Sequence, residues 1–338
     1  MRTPKDRQRS HRTKISVNMI DVTIIIVNWN TKDLLHNCLK SIDEQAGAIE
    51  YEVIVIDNAS TDGSAAMVRS QFPNARVISN DTNRGFAAAN NQGMAIAQGR
   101  YVLLLNSDTI VLNNAIEKTV DFADTTHDTA VIGCRVLNPD RSLQPTCFMY
   151  PSILNMILSS SYLYKLFPNN RFFGRERMTW WGRSDVREVD VVTGCFMLVR
   201  REAIKQAGMM DEDFFMYGEE TDWCYRFKKT GWKNIFMPDA EIIHLGGQSS
   251  RKIAVEMSLQ LRGSILYFIG KHKSRLEYVL ACFLVWLFFV VRIPIWFLKY
   301  LLSIKKRKYN YQRMMICVKG VCRITVGGGK SLCTQINW

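Results

Sequence analysis

Short apolar runs rich in β-branched residues alternate with helix-patterned segments over residues 22–109, and this alternation restricts the fold more than any other property of the chain. Val22–Val27 reads VTIIIV and breaks off into Asn28-Trp29-Asn30. An uninterrupted apolar run of that kind is a buried strand. Thr31–Glu44 comes next, with Leu34, Leu35, Cys38, Leu39 and Ile42 on one side of a helix. Val53–Ile56 predicts a second buried strand ending at Asp57-Asn58. Asp62–Gln71 predicts a helix, Ala75–Ser79 a short strand, Gly85–Gln98 an alanine-rich helix and Tyr101–Leu105 a fourth strand. Such alternation builds a parallel sheet with right-handed crossovers. Polar residues come directly after three of the strands, and ligands of these sheets bind beyond the carboxyl ends.

Beyond Asp108 the alternation loosens, and residues 145–190 are aromatic, proline-containing and without clear period. Val189–Val199 reads as a strand, Arg201–Ala207 as a short helix, Glu219–Lys229 as a helix, Trp232–Met237 as a strand and Lys252–Ile269 as a helix. Leu276–Leu302 is the most apolar stretch. Its longest charge-free run, Tyr278–Val291, has 14 residues, and Arg292 and Pro294 interrupt the remainder. A clean membrane crossing needs about 20 apolar residues, so this stretch is expected to lie in the membrane plane or form a shallow hairpin. A buried core helix is the alternative. Lys271, Lys273 and Arg275 precede it and Lys305–Lys308 come after it, so the positive-inside rule puts both flanks in the cytosol.

The charge distribution agrees. Of 338 residues, 44 are Lys or Arg and 31 are Asp or Glu. Residues 1–14 hold six bases against Asp6, and residues 278–338 hold ten bases and no acid, leaving 28 bases and 30 acids between them. A near-neutral body excludes a body-wide nucleic-acid surface. Basic ends suit an anionic membrane, or simply solvated tails. The nine cysteines form no C-x2-C pair, which predicts reduced thiols rather than a disulfide frame or zinc site. Asn18 and Asp21 break the apolar run after the basic start, so no secretory segment is expected there. No fixed repeat period is visible.

Three motifs sit at strand ends. Val55–Ser64 (VIDNASTDGS) puts Asp57 where a carboxylate can accept from a pyrimidine imide or a ribose hydroxyl, while Asp62 suits a helix cap. Asn83–Asn91 (NRGFAAANN) combines small residues, which let a helix approach the sheet, with Arg84, which can pair with a diphosphate. Leu103–Thr109 (LLLNSDT) delivers Asp108, able to hold Mg2+ or Mn2+ against a diphosphate.

Taken in order with VTGCFMLVRREAI (192–204), DEDFFMYGEETDWCYR (211–226) and HLGGQSS (244–250), these segments resemble the inverting family 2 glycosyltransferases of the GT-A fold. The rhamnosyltransferase-type branch of bacterial surface polysaccharide synthesis is the most similar. The resemblance spans roughly 240 residues, with 110–190 matching poorly.

The resemblance implies an α/β GT-A domain, a Rossmann-like mixed sheet with flanking helices, over residues 21–270. A basic extension would precede it (1–20), and a basic, apolar, membrane-associating helical region would come after it (271–338). It implies a nucleotide-diphosphate sugar donor, dTDP- or UDP-linked. The acceptor would be a saccharide on a polyprenyl diphosphate, met at the cytoplasmic face of the inner membrane. Asn28, Asp57, Asn83, Arg84, Asn106 and Asp108 would bind the donor, with Asp57 on the base and Arg84 on the diphosphate. Asp108 and His244 would hold a divalent metal, Mg2+ or Mn2+, and Asn106 replaces the first Asp of the family's D-x-D. In Glu219-Glu220-x-Asp222, Glu220 would be the catalytic base with Glu219 as fallback. A carboxylate stands there one methylene longer than the usual Asp. His244 could instead be structural, and Asp222 could simply pair with Arg226 four residues on. Phe214, Phe215, Tyr217, Trp180, Trp181 and Trp223 are candidates for sugar stacking or for core. Met149, Tyr150 and the apolar residues of 153–164 are candidates for lipid contact.

Other classes fit less well. A dinucleotide-binding oxidoreductase needs G-x-G-x-x-G where Asn28-Trp29-Asn30-Thr31 stands. Gly327–Ser331 echoes the end of a P-loop without its strand–helix setting. A nucleotidyltransferase shares the early sheet. A membrane-associated nucleotide-sugar-binding or scaffold protein with a decayed site would share the substitutions at Asn106 and Glu220.

Overall fold

The computed structural model describes residues 20–246 and 256–327. The basic start and Gly328–Ser331 lie outside them, as does most of the GGQSS segment.

The expected alternation is present. Strand β1 (Val22–Asn28), helix α1 (Lys32–Gln45), β2 (Tyr51–Asp57), α2 (Ser64–Gln71), β3 (Ala75–Ser79), α3 (Phe86–Ile96) and β4 (Tyr101–Asn106) come in that order. β1 pairs in parallel with β2 and β4, and β2 with β3. The apolar runs are continuous because both sheet faces are covered. Ile24 and Ile26 face α1 and α2, while Ile25 faces α3 across Gly93, where a Cβ would strike the Ile25 side chain.

Residues 109–137, unassigned from sequence, form β5 (Thr109–Leu112), α4 (Ala115–Thr125) and β6 (Thr129–Leu137). Two-residue β7 (Cys147–Phe148) precedes helices α5 (Ile153–Ser161) and α6 (Leu163–Leu166) and the bridge-sized β8 (Arg187–Glu188). The single strand expected over Val189–Val199 is two, β9 (Val191–Val192) and β10 (Phe196–Arg200). They are parted at Thr193-Gly194-Cys195, where the chain leaves a small β7–β9 sheet to join the main one. Helices α7 (Arg201–Ala207) and α8 (Glu219–Lys229) and strand β11 (Lys233–His244) complete this part.

The main sheet runs β3-β2-β1-β4-β10-β6-β11-β5, with β8 on β11. β10 is antiparallel to both β4 and β6, and β11 is parallel to β6, so β11 runs the same way as β1, β2 and β4. Asn28, Asp57, Asn106 and His244 therefore all end strands at one rim. The turn before β10 returns to that rim too, fixed by Asn106 N donating to Cys195 O at 3.1 Å. This is the GT-A architecture expected from the sequence.

Three helices close the chain: α9 (Glu256–His272), α10 (Arg275–Leu302) and α11 (Arg307–Gly327). They share a separate core with Phe214 and Met156. Ser274 and Glu277 form a reciprocal cap at the start of α10. Helix α10 runs unbroken through Arg292 and Pro294, a single helix rather than a hairpin. The Arg292 guanidinium folds back to the Phe288 carbonyl at 3.0 Å and reaches Ser160 O at 3.2 Å, so its charge is satisfied against protein. The helix is long and apolar enough to cross a bilayer, with mean hydropathy 2.3 over its most apolar window.

Candidate functional site

A cavity of about 300 Å³ opens at the carboxyl-end rim of the sheet. Asn83, Asn106, Asp108, His244 and Glu220, expected from sequence, line it together with Glu219.

Asp108 stands just past β4, and Leu245 N donates to its carbonyl at 3.0 Å, pinning the end of β11 beside it. Across that junction His244 Nε2 lies 3.2 Å from Asp108 Oδ1 and 3.2 Å from Asn106 Nδ2. His244 Nδ1 meets Gln144 Oε1 at 2.6 Å. Gln144 Nε2 is already donating to Asn138 Oδ1 and His244 O, so its Oε1 must accept and Nδ1 carries the proton. In the neutral ring Nε2 then presents a lone pair toward the Asp108 carboxylate. Two donor atoms about 3 Å apart are the spacing of neighbouring ligands in one octahedral shell around a small divalent ion. Among the described residues no group of three His, Cys, Asp or Glu is placed to hold a metal, so further ligands would come from substrate and water.

Glu219 and Glu220 open α8. The turn before them is left-handed at Tyr217 (φ 66) and Gly218 (φ 94). For the non-glycine Tyr217 this conformation costs about 1–3 kcal/mol, and it points the start of α8 into the cavity. Burial pushes the Glu219 carboxyl well above the usual range, with the neighbouring Glu220 charge adding to it. Burial also raises Glu220, but backbone N–H groups and a proton donated by Glu219 oppose the rise. Of the pair, Glu219 is held higher and Glu220 is the more readily ionised. Cys195, on the same wall, is pushed up to about 11, mainly by burial, with Asp108 and Glu220 adding negative potential.

Asn28, Asp57 and Arg84 do not line the cavity. Asn28 Nδ2 donates to Asp57 Oδ1 at 3.2 Å and to Ser60 Oγ at 3.1 Å, and Thr31 Oγ1 donates to Asn28 Oδ1 at 2.6 Å. The Thr31 hydroxyl also meets Ser107 at 2.9 Å, tying this buried network to the Asp108 loop. Arg84 is exposed, and its backbone N–H rather than its guanidinium is held, by Asn58 Oδ1 at 3.0 Å. Asn58 is a hub that sequence reasoning passed over. Its amide donates to Asn83 Oδ1 at 2.8 Å and to Gly85 O at 3.2 Å, and it lines the cavity. Asp62 is structural: it accepts from Ser64 N at 3.0 Å and Lys32 N at 2.8 Å, joining the starts of α2 and α1.

Gly85 (φ 82) lets the α3 start meet the loop before α8. A Cβ there would strike the Phe215 carbonyl, which accepts from Phe86 N at 2.9 Å. Of the candidate stacking aromatics only Tyr217 lines the cavity; Phe214, Phe215, Trp181 and Trp223 are buried core. Trp29, Phe86 and Phe148 supply the remaining aromatic wall. Phe148 comes from the aperiodic stretch and Gln144 directly precedes that stretch, where pattern gave no signal.

The profile described as "Glycosyl transferase family 2" matches residues 23–208. An N-acetylglucosaminyl-diphospho-decaprenol L-rhamnosyltransferase of Mycobacterium tuberculosis is 28% identical over 269 residues, covering 76% of this chain and 87% of the relative. A low-salt glycan biosynthesis hexosyltransferase of Haloferax volcanii is 25% identical, covering 68% of each. Among solved structures, the mannosyltransferase PcManGT of Pyrobaculum calidifontis, in complex with GDP-Man and Mn2+, superposes with TM-score 0.52 at 15% identity, covering 91% of this chain and 75% of that one.

Proposed function

The chain belongs to glycosyl transferase family 2 and is a glycosyltransferase, and we propose that it is an inverting, metal-dependent one. It moves rhamnose or a related hexose from a dTDP- or UDP-linked donor to a lipid-linked saccharide in cell-surface polysaccharide synthesis. The observation that carries this reading is the convergence of Asp108, His244 and the Glu219–Glu220 pair on one cavity at the sheet's carboxyl rim. The mycobacterial relative, named for an acceptor on diphospho-decaprenol, supports the acceptor class.

In this reading the nucleotide lies over the Asn28–Asp57 strand ends, and Asn58 and Asn83 shape the pocket beside it. Asp108 and His244 suit a divalent cation: one hard oxygen and one imidazole nitrogen, which Mn2+ and Mg2+ chemistry accommodates with diphosphate oxygens. When bound, such an ion offsets the charge growing on the departing diphosphate. Glu220 accepts the proton of the acceptor hydroxyl as that oxygen attacks the anomeric carbon from the side opposite the diphosphate. Glu219, protonated, holds the Glu220 carboxylate in place. Configuration inverts in one displacement, and no sugar–enzyme bond forms.

The enzyme works at the cytoplasmic face of the inner membrane, with α10 against the lipid and the basic ends near anionic headgroups. Replacing Glu220 by Gln removes the base at constant size. Sugar transfer is expected to fall by about 10²–10⁴-fold while nucleotide binding persists. Near-normal turnover would take Glu220 out of this role.

A further inference from the structure

A second cavity, of about 360 Å³, takes into its wall the residue directly after Phe148. Consecutive residues line the two: Phe148 faces the strand-end cavity and Met149 the second. Its other walls are Arg171, Phe172, Arg175, Met178 and Trp180.

The cavity is held open by the backbone around it. Arg183, 1% exposed, donates to the carbonyls of Arg177, Met178 and Trp181 and reaches Cys147 O. Thr179 Oγ1 donates to Pro168 O at 2.6 Å, and Met149 N to Glu176 O at 2.8 Å. The loop is thus fixed without any ligand.

Its charge is not balanced from within. The Arg171 guanidinium lies over the Trp180 ring at 4.8 Å. No ion pair joins Arg171 or Arg175 to a carboxylate among the described residues, whereas Arg187, stacked on the same indole, is paired with Asp185. Arg175 Nε is buried and has no hydrogen-bond partner among the described residues. The nearby acid, Glu176, is half-buried, and its electrostatic neighbours are Arg177 and Arg262 rather than the cavity arginines.

The mouth is apolar. Phe172 is 53% exposed, and Phe167 and Leu166 beside it are 51% and 73% exposed. Phe173 stacks on Phe167 and meets Phe172 edge-on. The preceding helix α5 packs on the apolar α10.

We propose that this cavity receives the diphosphate of the polyprenyl-linked acceptor; the inference rests on the proposed lipid-linked acceptor. Two guanidinium groups match the two phosphoryl groups, which arginine forks recognise well. The phenylalanine rim takes the first prenyl units as they leave toward α10. Met149 directly follows Phe148 of the donor cavity, and a sugar joined to that diphosphate reaches toward that side. Arg171 and Arg175 bind the acceptor and take no part in donor binding.

The test uses the full chain in detergent, its donor cavity first filled with nucleoside diphosphate and Mn2+, titrated with farnesyl diphosphate. Binding is expected for farnesyl diphosphate and not for farnesol. The exposed-site variant R171E, and R171E combined with R175Q, should weaken it at least tenfold while the thermal shift given by nucleotide stays as in the parent. Unchanged farnesyl diphosphate binding in the double variant overturns the proposal. So does loss of flotation on phosphatidylglycerol vesicles with farnesyl diphosphate binding intact, which makes the cavity a phospholipid site. If the parent shows no nucleotide shift at all, the donor reading fails instead, and the farnesyl diphosphate arm still decides this cavity.

Discussion

Two adjacent glutamates face one cavity, and their environments separate them. Burial and the neighbouring charge both penalise ionisation of Glu219 and raise its pKa well above the usual range. Glu220 is also raised by burial, but it accepts a hydrogen bond from Glu219. Gln at 219 can still donate, so Glu219→Gln should retain activity within about tenfold, in contrast to the loss at Glu220. Equal losses in both variants would assign the base to the pair rather than to Glu220. Protonated Glu220 cannot accept a proton, and its pKa is raised, so kcat/KM should fall with acidification in a limb above the ordinary glutamate range. A pH profile with its acid limb at an ordinary glutamate pKa contradicts the assignment. Asp108 could be read from its place after a buried strand, whereas Glu220 and His244 came only from the resemblance of their segments to the family. Asn58 was hidden, since an Asn after a strand also reads as a turn residue. Gln144 had no periodic frame around it.

Helix α8 is joined to the C-terminal helices by a buried charge. Asp222, fully buried, accepts from Arg226 Nε at 2.7 Å, Lys271 Nζ at 2.8 Å and His272 Nε2 at 2.6 Å. Burial alone would raise its pKa, but these three donors hold it at about 2. The pair with Arg226 anticipated from spacing is present, and the two donors from α9 could not be read from local sequence. The unfolded carboxylate titrates near 3.9, so the stabilisation is complete above pH ~4 and lost as pH falls toward 2. It is worth about 2–3 kcal/mol. Asp222→Ala removes the acceptor shared by Arg226, Lys271 and His272, while Lys271 keeps Asp211 and Arg226 keeps backbone carbonyls, and should cost about 2–3 kcal/mol in denaturant melts. A change below about 1 kcal/mol would remove this tie.

Helix α10 packs Ala281, Val285 and Phe289 inward. On the other side Leu276, Leu280, Phe283, Leu287, Val291 and Ile295 stay exposed, a stripe continuing to Leu302. Antiparallel α11 lies along it, with Asn310 bonded to Lys299 O and Gly320 against Phe289. Crossing a bilayer with α10 would carry Arg313, Lys319 and Arg323 into hydrocarbon, at about 2.5–3.5 kcal/mol for each cation at the centre. An in-plane helix avoids that cost. Pattern left an in-plane helix and a hairpin both open, because Arg292 and Pro294 interrupt the apolar run, and the bonds of Arg292 to Phe288 O and Ser160 O could not be read from local sequence. Serine at Leu280, Phe283 and Leu287 should leave the fold intact and lower vesicle co-sedimentation several-fold. Unchanged sedimentation would move the membrane contact elsewhere.

At the scale of the molecule, the sheet, the helical appendage and the uneven charge combine into one orientation. The strand-end cavity takes Phe148 of β7 into its wall, and α5, which comes after β7, packs on the apolar α10. The early parallel half of this arrangement was legible because each strand is a short buried run. The later half was not, because β10 joins antiparallel after the turn at Thr193–Cys195 and the intervening aromatic segment has no period. The central claim, that a nucleoside diphosphate and a divalent cation share the Asp108–His244 corner, is tested by thermal unfolding of the parent and Asp108→Ala with nucleoside diphosphate, in Mn2+ and in excess chelator. At nucleotide about a hundredfold above Kd, the parent in Mn2+ should gain about 2.7 kcal/mol, while the chelated parent and the variant gain almost nothing. An equal gain in all three would contradict the account.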